Sequence, residues 1–195
     1  MVIIPFFNID GEMFNIPITW LLIDLIFIIA SITDKLDGYL ARSRNEVTTF
    51  GKFLDPIADK ILVLAAMIML VEATKLPAWI PIIVLFREFI VSGYRLIAVE
   101  KSGNVIAASI WGKLKTVTQM IAIILMFLTT QPYFAFVLRA KTEQDALVNS
   151  ALTYMTTGDF VMNILASIFM TVSVIATIFS GYEYLKGGKD LLKDC

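Results

Sequence analysis

Four aspartates stand close together in one polar stretch of the chain, at positions 34, 37, 55 and 59. Asp34 and Asp37 are spaced i, i+3 and Asp55 and Asp59 are spaced i, i+4, so each pair faces one side of a helix. Carboxylates at two adjacent helix ends can hold hard cations such as Mg²⁺, which favours oxygen ligands and often keeps substrate phosphates as further ligands. The spacing therefore indicates a site for hard cations.

Small residues accompany the aspartates. Gly38 and Ala41 lie about one helical turn apart and leave little side chain there, so a bulky phosphate ligand can approach the backbone. A lone aspartate would more simply be a solvated surface charge, and Asp55, just before Pro56, could cap a helix. Four paired carboxylates favour a bound cation, because crowding like charges is costly without one.

The remaining composition restricts the chemistry. The chain has no histidine, and its one cysteine is Cys195. Imidazole ligands, a zinc–thiolate site and an intramolecular disulfide are therefore excluded, and carboxylates must serve both as metal ligands and as general base. The net charge is −1, so nothing indicates a nucleic-acid partner.

The segments around the aspartates are strongly apolar. Of the 195 residues 58% are hydrophobic and 17% are charged, and the mean hydropathy is +0.80. A core of this size cannot hide that excess, so we expect an all-α integral membrane protein with one domain over residues 1–195. The predicted spans are 17–33, 57–74, 78–98, 112–130 and 159–182, with residues 1–8 as part of one more.

Basic residues are distributed unevenly between the predicted connections. The connections richest in lysine and arginine are 34–60, 95–115 and 184–195. The opposite connections carry only Lys75, Arg139 and Lys141. The excess of positive charge marks the cytoplasmic side. We therefore predict a multi-pass protein of the cytoplasmic membrane whose aspartates face the cytoplasm.

Residues 34–59 resemble the defining motif of the CDP-alcohol phosphotransferase family, D-x2-D-G-x2-A-R-x8-G-x3-D-x3-D, at all eight fixed positions. The resemblance implies a six-helix membrane bundle, here with the first helix truncated, which is usually a homodimer. It implies that Asp34, Asp37 and Asp55 hold two divalent ions, Mg²⁺ or Mn²⁺, on the diphosphate of a CDP-linked donor. Asp59 would also lie near the metals and act as the base. The CDP pocket would be lined by Gly38, Ala41, Arg42 and Gly51.

Cations in the later spans are candidate ligands for a phosphate on the second substrate, the alcohol that accepts the transferred group. Arg87 and Arg95 lie about 80° apart around an ideal helix, so both can lean into one cleft, whereas Lys113 and Lys115 point to opposite sides. Arginine favours bidentate contact with phosphate. The alternatives are an ion pair of Arg87 with Glu88 or a motif aspartate, and snorkelling of Arg95 and Lys113 to the membrane surface.

The stretches R-E-F-x-V-x-G-x-R and G-K-x-K-T are similar to members of the family whose acceptor is sn-glycerol 3-phosphate, and the similarity covers about residues 17–190. This resemblance implies transfer of the phosphatidyl group of CDP-diacylglycerol to glycerol 3-phosphate, with the acceptor phosphate bound by Arg87, Arg95 and Lys113. Inositol phosphate and phosphatidylglycerol are alternative acceptors. Serine is disfavoured, because these cations favour a phosphorylated acceptor.

The chain departs from that pattern in two places. Connection 139–158 is longer than expected and carries no recognisable chemistry. The usual opening, N-P-N-x-x-T-x-x-R, is absent, and residues 1–8 reach only about 12 Å of a ~30 Å hydrocarbon core. We therefore expect Met1 to be an internal methionine of a longer protein. No role is predicted for Asp24.

Two functions of other classes compete with this interpretation. A cation transporter could use the aspartates as an ion relay, but transport sites usually lie near the bilayer midplane, whereas these aspartates cluster at one face. A non-catalytic scaffold would give no reason for four spaced carboxylates.

Overall fold

The computed structural model describes residues 11–13, 16–43, 49–102, 110–134 and 157–187. Over these ranges the chain is mostly helical. A short antiparallel pair, β1 (Glu12–Met13) and β2 (Ile16–Pro17), precedes the helices. The helices are α1 (Ile18–Ser43), α2 (Thr49–Glu72), α3 (Trp79–Ser102), α4 (Ile110–Leu128) and α5 (Thr157–Gly187). The predicted partial span 1–8 lies outside the described residues, as does most of connection 139–158.

Each of the five full spans predicted from the sequence coincides with one helix and overshoots it by at most two residues, but two helices extend well beyond the apolar run. Helix α1 continues to Ser43 rather than ending at residue 33, and α2 begins at Thr49 rather than at residue 57. Hydropathy marks only the apolar part of a helix, while the backbone hydrogen bonding continues through the polar residues. The four aspartates consequently lie on helices. We call this end of the bundle, where α1 ends and α2 begins, the site end, and the opposite end the far end.

Helices α4 and α5 form the most extensive contact of the bundle. The buried stripe of α5 consists largely of small and hydroxyl-bearing residues, namely Ala166, Ser167, Ser173, Ala176, Thr177 and Ser180. Side chains of this size let two helix backbones approach closely, and such stripes are typical of helix packing in membranes. Large apolar residues fill the rest of the core, which contains Phe27, Met67, Leu70, Ile123, Phe127 and Met170.

One face of α5 fixes the start of the connection that follows α4. Asn163 donates from Nδ2 to the carbonyl oxygen of Pro132 at 3.0 Å. Ser167 Oγ accepts from the backbone N–H of Phe134 at 3.1 Å, and the hydroxyls of Tyr133 and Thr171 lie 2.8 Å apart. The three α5 residues are spaced four apart, so they form one row on the helix. The far end is therefore held to α5 by side-chain hydrogen bonds.

Lys75 holds the turn between α2 and α3 at the far end. Its side chain is buried, donates to the carbonyl oxygen of Phe127 at 3.2 Å and lies 5.1 Å from the ring centre of Trp20. Burial lowers the pKa of Lys75 to about 8, and the nearby charge of Asp24 opposes that shift. Asp24, for which the sequence predicted no role, is thus buried within electrostatic range of this lysine.

Many large apolar side chains remain exposed, which soluble proteins avoid over wide areas. On α3 alone Ile82, Phe86 and Phe89 are each more than 60% exposed. Two of the described helices, α4 and α5, are long and apolar enough to cross a bilayer. Every comparable window of α3 contains Arg87 and Glu88 together with at least one further charge. The exposed apolar surface and these helices indicate a membrane protein.

Candidate active site

The two predicted aspartate pairs lie on neighbouring helices. Asp34 and Asp37 lie in the last turns of α1, and Asp55 and Asp59 lie in the first half of α2. These helices pack against each other. Asp34 is half-buried and Asp37 is exposed. The fold thus brings both pairs to the site end, where the sequence predicted them.

Several predicted site side chains fall outside the described part of the structure, although their helical backbone lies within it. They are Gly38, Ala41, Arg42, Gly51, Asp55, Asp59 and Arg95. Their roles therefore stay predictions. Among the side chains that are described, no three carboxylates or cysteines lie close enough together to hold a metal ion.

The donor set nevertheless suits a hard divalent cation. The candidate ligands are carboxylates only, since the chain has no histidine and its one cysteine is Cys195. Carboxylate oxygens are the ligands that Mg²⁺ and Mn²⁺ prefer. The exposure of Asp37 leaves this carboxylate accessible to a cation and a phosphate from the aqueous phase.

A second polar cluster centres on Glu88 in α3. Lys115 of α4 lies 2.5 Å from Glu88 Oε1, and Arg87 Nη1 lies 2.9 Å from the same oxygen. Lys60 of α2 lies 3.9 Å from Glu88 Oε2 and also donates to the hydroxyl of Ser92. One carboxylate thus contacts cations from three helices. Such pairing is required of charges buried between helices in a membrane protein.

Arg87 also joins α3 to α5. Its Nη2 donates to the hydroxyl of Ser180, and its guanidinium carbon lies 5.9 Å from the ring centre of Tyr184. The side chain is buried. The structure therefore gives Arg87 the ion pair with Glu88 that the sequence left open as the alternative to phosphate binding, and phosphate binding by Arg87 stays a prediction.

Lys113 and Lys115 point to opposite sides of α4, as their spacing predicted. Lys115 is buried and pairs with Glu88, whereas Lys113 is exposed. The prediction that Lys113 contacts the acceptor phosphate is not tested by these contacts. The sequence interpretation assigned no role to Lys115 or Lys60 and treated Glu88 only as a partner for Arg87. A carboxylate inside a membrane span is itself a signal that a buried partner compensates its charge.

A cavity of about 500 Å³ lies at the far end, between the turn after α2 and the connection after α4. Thr74, Pro77, Pro132 and Phe134 contribute to its mostly apolar lining. It is separated from the aspartates by the length of the bundle. Lys75 also lines it, but its ammonium donates to the carbonyl oxygen of Phe127. Because the rest of the lining is mostly apolar, the aspartate motif at the site end is the better candidate for binding phosphate.

Comparison with known proteins agrees with the motif. The sequence pattern of the CDP-alcohol phosphatidyltransferase family matches residues 2–179. The chain is 39% identical over 179 residues to the CDP-diacylglycerol–glycerol-3-phosphate 3-phosphatidyltransferase of Bacillus subtilis, covering 92% of this chain and 79% of that protein. The protein of the same name from Haemophilus influenzae is 36% identical over 200 residues, with 100% and 91% coverage. That from Escherichia coli K12 is 40% identical over 131 residues, with 63% and 69% coverage.

Proposed function

The chain belongs to the CDP-alcohol phosphatidyltransferase family, and we propose that it transfers the phosphatidyl group of CDP-diacylglycerol to sn-glycerol 3-phosphate. The products are phosphatidylglycerophosphate and CMP, and the reaction serves anionic phospholipid synthesis. One observation carries the proposal: relatives that bear this enzyme's name align with nearly the whole chain, including the aspartate motif on α1 and α2.

Asp34, Asp37, Asp55 and Asp59 are the residues that would hold two divalent ions, Mg²⁺ or Mn²⁺. When bound, such ions neutralise the diphosphate of the donor and stabilise the departing CMP. The arrangement of carboxylates on two packed helices supports this assignment. Gly38, Ala41, Arg42 and Gly51 belong to the same motif and would line the pocket for the CDP part of the donor.

Asp59 is the proposed general base. It takes the proton of the acceptor's hydroxyl, whose oxygen attacks the phosphorus that bears the diacylglycerol. A new phosphorus–oxygen bond forms to the acceptor, and the bond from that phosphorus to the bridging oxygen of the diphosphate breaks. The electron pair leaves with CMP. Carboxylates are the chain's available bases near neutral pH, because it contains no histidine.

Arg87, Arg95 and Lys113 are the proposed ligands of the acceptor phosphate. Arg87 and Arg95 lie on α3 and Lys113 lies near the start of α4, and these two helices are joined by the ion pair of Glu88 with Lys115. Charge-assisted contacts from arginine and lysine suit a phosphate that enters from water. A phosphorylated acceptor is therefore favoured over serine, while inositol phosphate and phosphatidylglycerol remain candidates for the test below.

The proposed setting is one transmembrane catalytic domain over residues 1–195, a homodimer in the cytoplasmic membrane with its site facing the cytoplasm. The six-helix bundle of the resemblance would include a first helix that residues 1–8 begin to supply. The apolar surface of the helices and the excess of basic residues at the site end support the multi-pass orientation.

The decisive experiment measures CMP release by the purified protein from CDP-diacylglycerol with Mg²⁺. Glycerol 3-phosphate, inositol phosphate, serine and phosphatidylglycerol are offered in separate reactions. Release that depends on glycerol 3-phosphate and yields phosphatidylglycerophosphate supports the proposal. Release with another alcohol alone would reassign the acceptor, and metal-dependent ion flux without CMP release would favour the transporter.

A further inference from the structure

Lys60 differs from the other cations around Glu88 in its exposure. Its side chain is 38% exposed, whereas those of Arg87 and Lys115 are 10% and 8% exposed. Its ion pair with Glu88, at 3.9 Å, is also the longest of the three. Arg87 and Lys115 therefore neutralise Glu88 at short range, and the ammonium of Lys60 is the most accessible of the three cations.

The direction of Lys60 separates it from the aspartates on its own helix. Adjacent residues of an α-helix lie about 100° apart around its axis, so positions 59 and 60 face different sides of α2. Its Nζ donates to Ser92 of α3, one turn beyond Glu88. The side chain thus lies on the α3 side of α2. The motif that resembles the donor site lies at the junction of α1 and α2, whereas the cations assigned to the acceptor lie on α3 and α4.

We propose that Lys60 binds the phosphate of the acceptor, and that Glu88 and Ser92 are positioning residues that hold its ammonium between α2 and α3. The inference rests on the proposed function, because it assigns a ligand for the phosphorylated acceptor. It adds a cation from α2, the helix that carries the proposed base. The acceptor's phosphate would thereby contact Lys60, the residue next to Asp59, and Asp59 is the proposed base that takes the proton of the acceptor's hydroxyl.

The contacts of Lys60 suit such a role. The ammonium donates to the hydroxyl of Ser92 and lies 3.9 Å from a carboxylate oxygen, beyond hydrogen-bond distance, so it keeps N–H donors for an incoming phosphate oxygen. A flexible lysine without these contacts would lose side-chain entropy on binding the phosphate. Glu88 and Ser92 hold the side chain of Lys60 in place beforehand, so less side-chain entropy is lost when the acceptor binds.

The test compares Michaelis constants for the two substrates in the full-length enzyme in detergent micelles. Lys60→Met should raise the KM for glycerol 3-phosphate by about 10-fold or more, because a charged hydrogen bond is lost, while the KM for CDP-diacylglycerol changes less than about twofold. Lys60→Arg, which keeps the charge, should restore most of the affinity. Lys186→Met removes an exposed lysine near the end of α5, outside the cluster, and should leave both constants unchanged.

Ser92 and Glu88, the proposed positioning residues, are tested by the KM for glycerol 3-phosphate with and without Lys60. Ser92→Ala should raise the same KM by about 2- to 10-fold, less than Lys60→Met does, because it removes one contact that positions the ammonium but leaves the ammonium itself. In a Lys60→Met background Ser92→Ala should have no further effect, since the two act through one contact. Glu88→Gln, which removes the charge that attracts the ammonium, should also raise this KM. Glu88→Asp, which keeps the charge but shortens the side chain, is the second variant if Glu88→Gln does not fold.

Four results would overturn the inference. They are an unchanged acceptor KM in Lys60→Met, an equal rise in both constants, a loss confined to kcat, and multiplicative effects of Lys60→Met and Ser92→Ala. Failure of the proposed function itself would appear differently, as wild-type enzyme that releases no CMP with glycerol 3-phosphate. In that case the KM values of the variants and the wild type are compared with the acceptor that the wild type does use.

Discussion

Lys115 Nζ lies 2.5 Å from Glu88 Oε1 and joins α4 to α3 at the site end of the bundle. Both side chains are largely buried, so this contact is not a surface ion pair of negligible value. Removing one partner from a buried pair leaves the other charge poorly compensated. Because Glu88 keeps Arg87 and Lys60, Lys115→Met should cost about 2 kcal/mol rather than the full cost of an isolated charge.

The matched control for this prediction is Lys113→Met, two residues earlier on the exposed side of α4. Surface substitutions usually change stability by less than about 0.5 kcal/mol. Thermal unfolding in the same detergent should therefore show a lower Tm for Lys115→Met and an unchanged Tm for Lys113→Met. Equal Tm values for the two variants would contradict a structural role for the Lys115–Glu88 pair.

The sequence predicted the helical class and a helix at each of the five apolar runs, because long apolar runs admit few alternatives to helix in a bilayer. That all five helices cross the membrane stays a prediction. The sequence also predicted that Lys113 and Lys115 face apart, which follows from the helical period. It did not predict the pairing of Lys115 with Glu88 or the burial of Lys75 near Asp24. Those arrangements depend on which helix faces are brought together, and a single sequence gives the period of each helix but not its rotation against the next.

The helix ends were the least accurate part of the prediction, and the reason is visible in α1. Hydropathy falls at Thr33 and Asp34, yet the helix continues to Ser43. The aspartates were therefore predicted at the ends of membrane spans, and the structure adds that they lie within continuous helix. The short strands β1 and β2 were not predicted, since two-residue strands have no detectable period.

Asp59→Asn tests the proposed base. The amide keeps the size of the side chain and loses its ability to take a proton, so turnover should fall by about 10²–10⁴-fold. Binding of CDP-diacylglycerol in the presence of metal should persist. The measurements are CMP release and donor binding by the same purified sample. Near-normal turnover would remove Asp59 from the role of base.

Arg95→Ala and Lys113→Ala test the proposed acceptor ligands. Each should raise the KM for glycerol 3-phosphate by about 10-fold or more, since a charge-assisted contact to phosphate is lost. The KM for the lipid donor should change much less. Parallel increases in both constants would instead indicate a general effect on folding or packing. Lys186→Met is again the appropriate control, because it removes an exposed positive charge outside the cluster.

Removal of divalent metal should abolish CMP release, and Mg²⁺ or Mn²⁺ should restore it. Carboxylate oxygens bind both ions, so the restoration tests the class of metal rather than one species. Asp37→Asn should then require a higher Mg²⁺ concentration for half-maximal rate, because an exposed carboxylate ligand becomes a weaker amide ligand. Full activity in the presence of excess chelator would exclude the proposed metal role.

The far end supplies a prediction about pH that does not depend on catalysis. Lys75 is buried in the turn between α2 and α3, and its pKa in the folded protein is lowered from 10.5 to about 8. Between these values the unfolded chain binds a proton that the folded protein has released, so folding becomes more favourable as the pH rises through this window. Below about pH 8 the folded protein must hold a charged, poorly solvated ammonium, and this gain in folding stability is absent.

Lys75→Met should therefore flatten the rise in stability between about pH 8 and 10. The full linkage effect of a shift of this size is on the order of 3 kcal/mol, and residual solvation of the ammonium makes the measured difference smaller. The quantity to compare is the slope of Tm against pH for wild type and variant, since other lysines and tyrosines titrate in both. Lys186→Met, which removes an exposed lysine, should keep the wild-type slope. Identical slopes for wild type and Lys75→Met would mean that burial of Lys75 does not affect its proton affinity, and that Asp24 and water compensate its charge fully in the folded state.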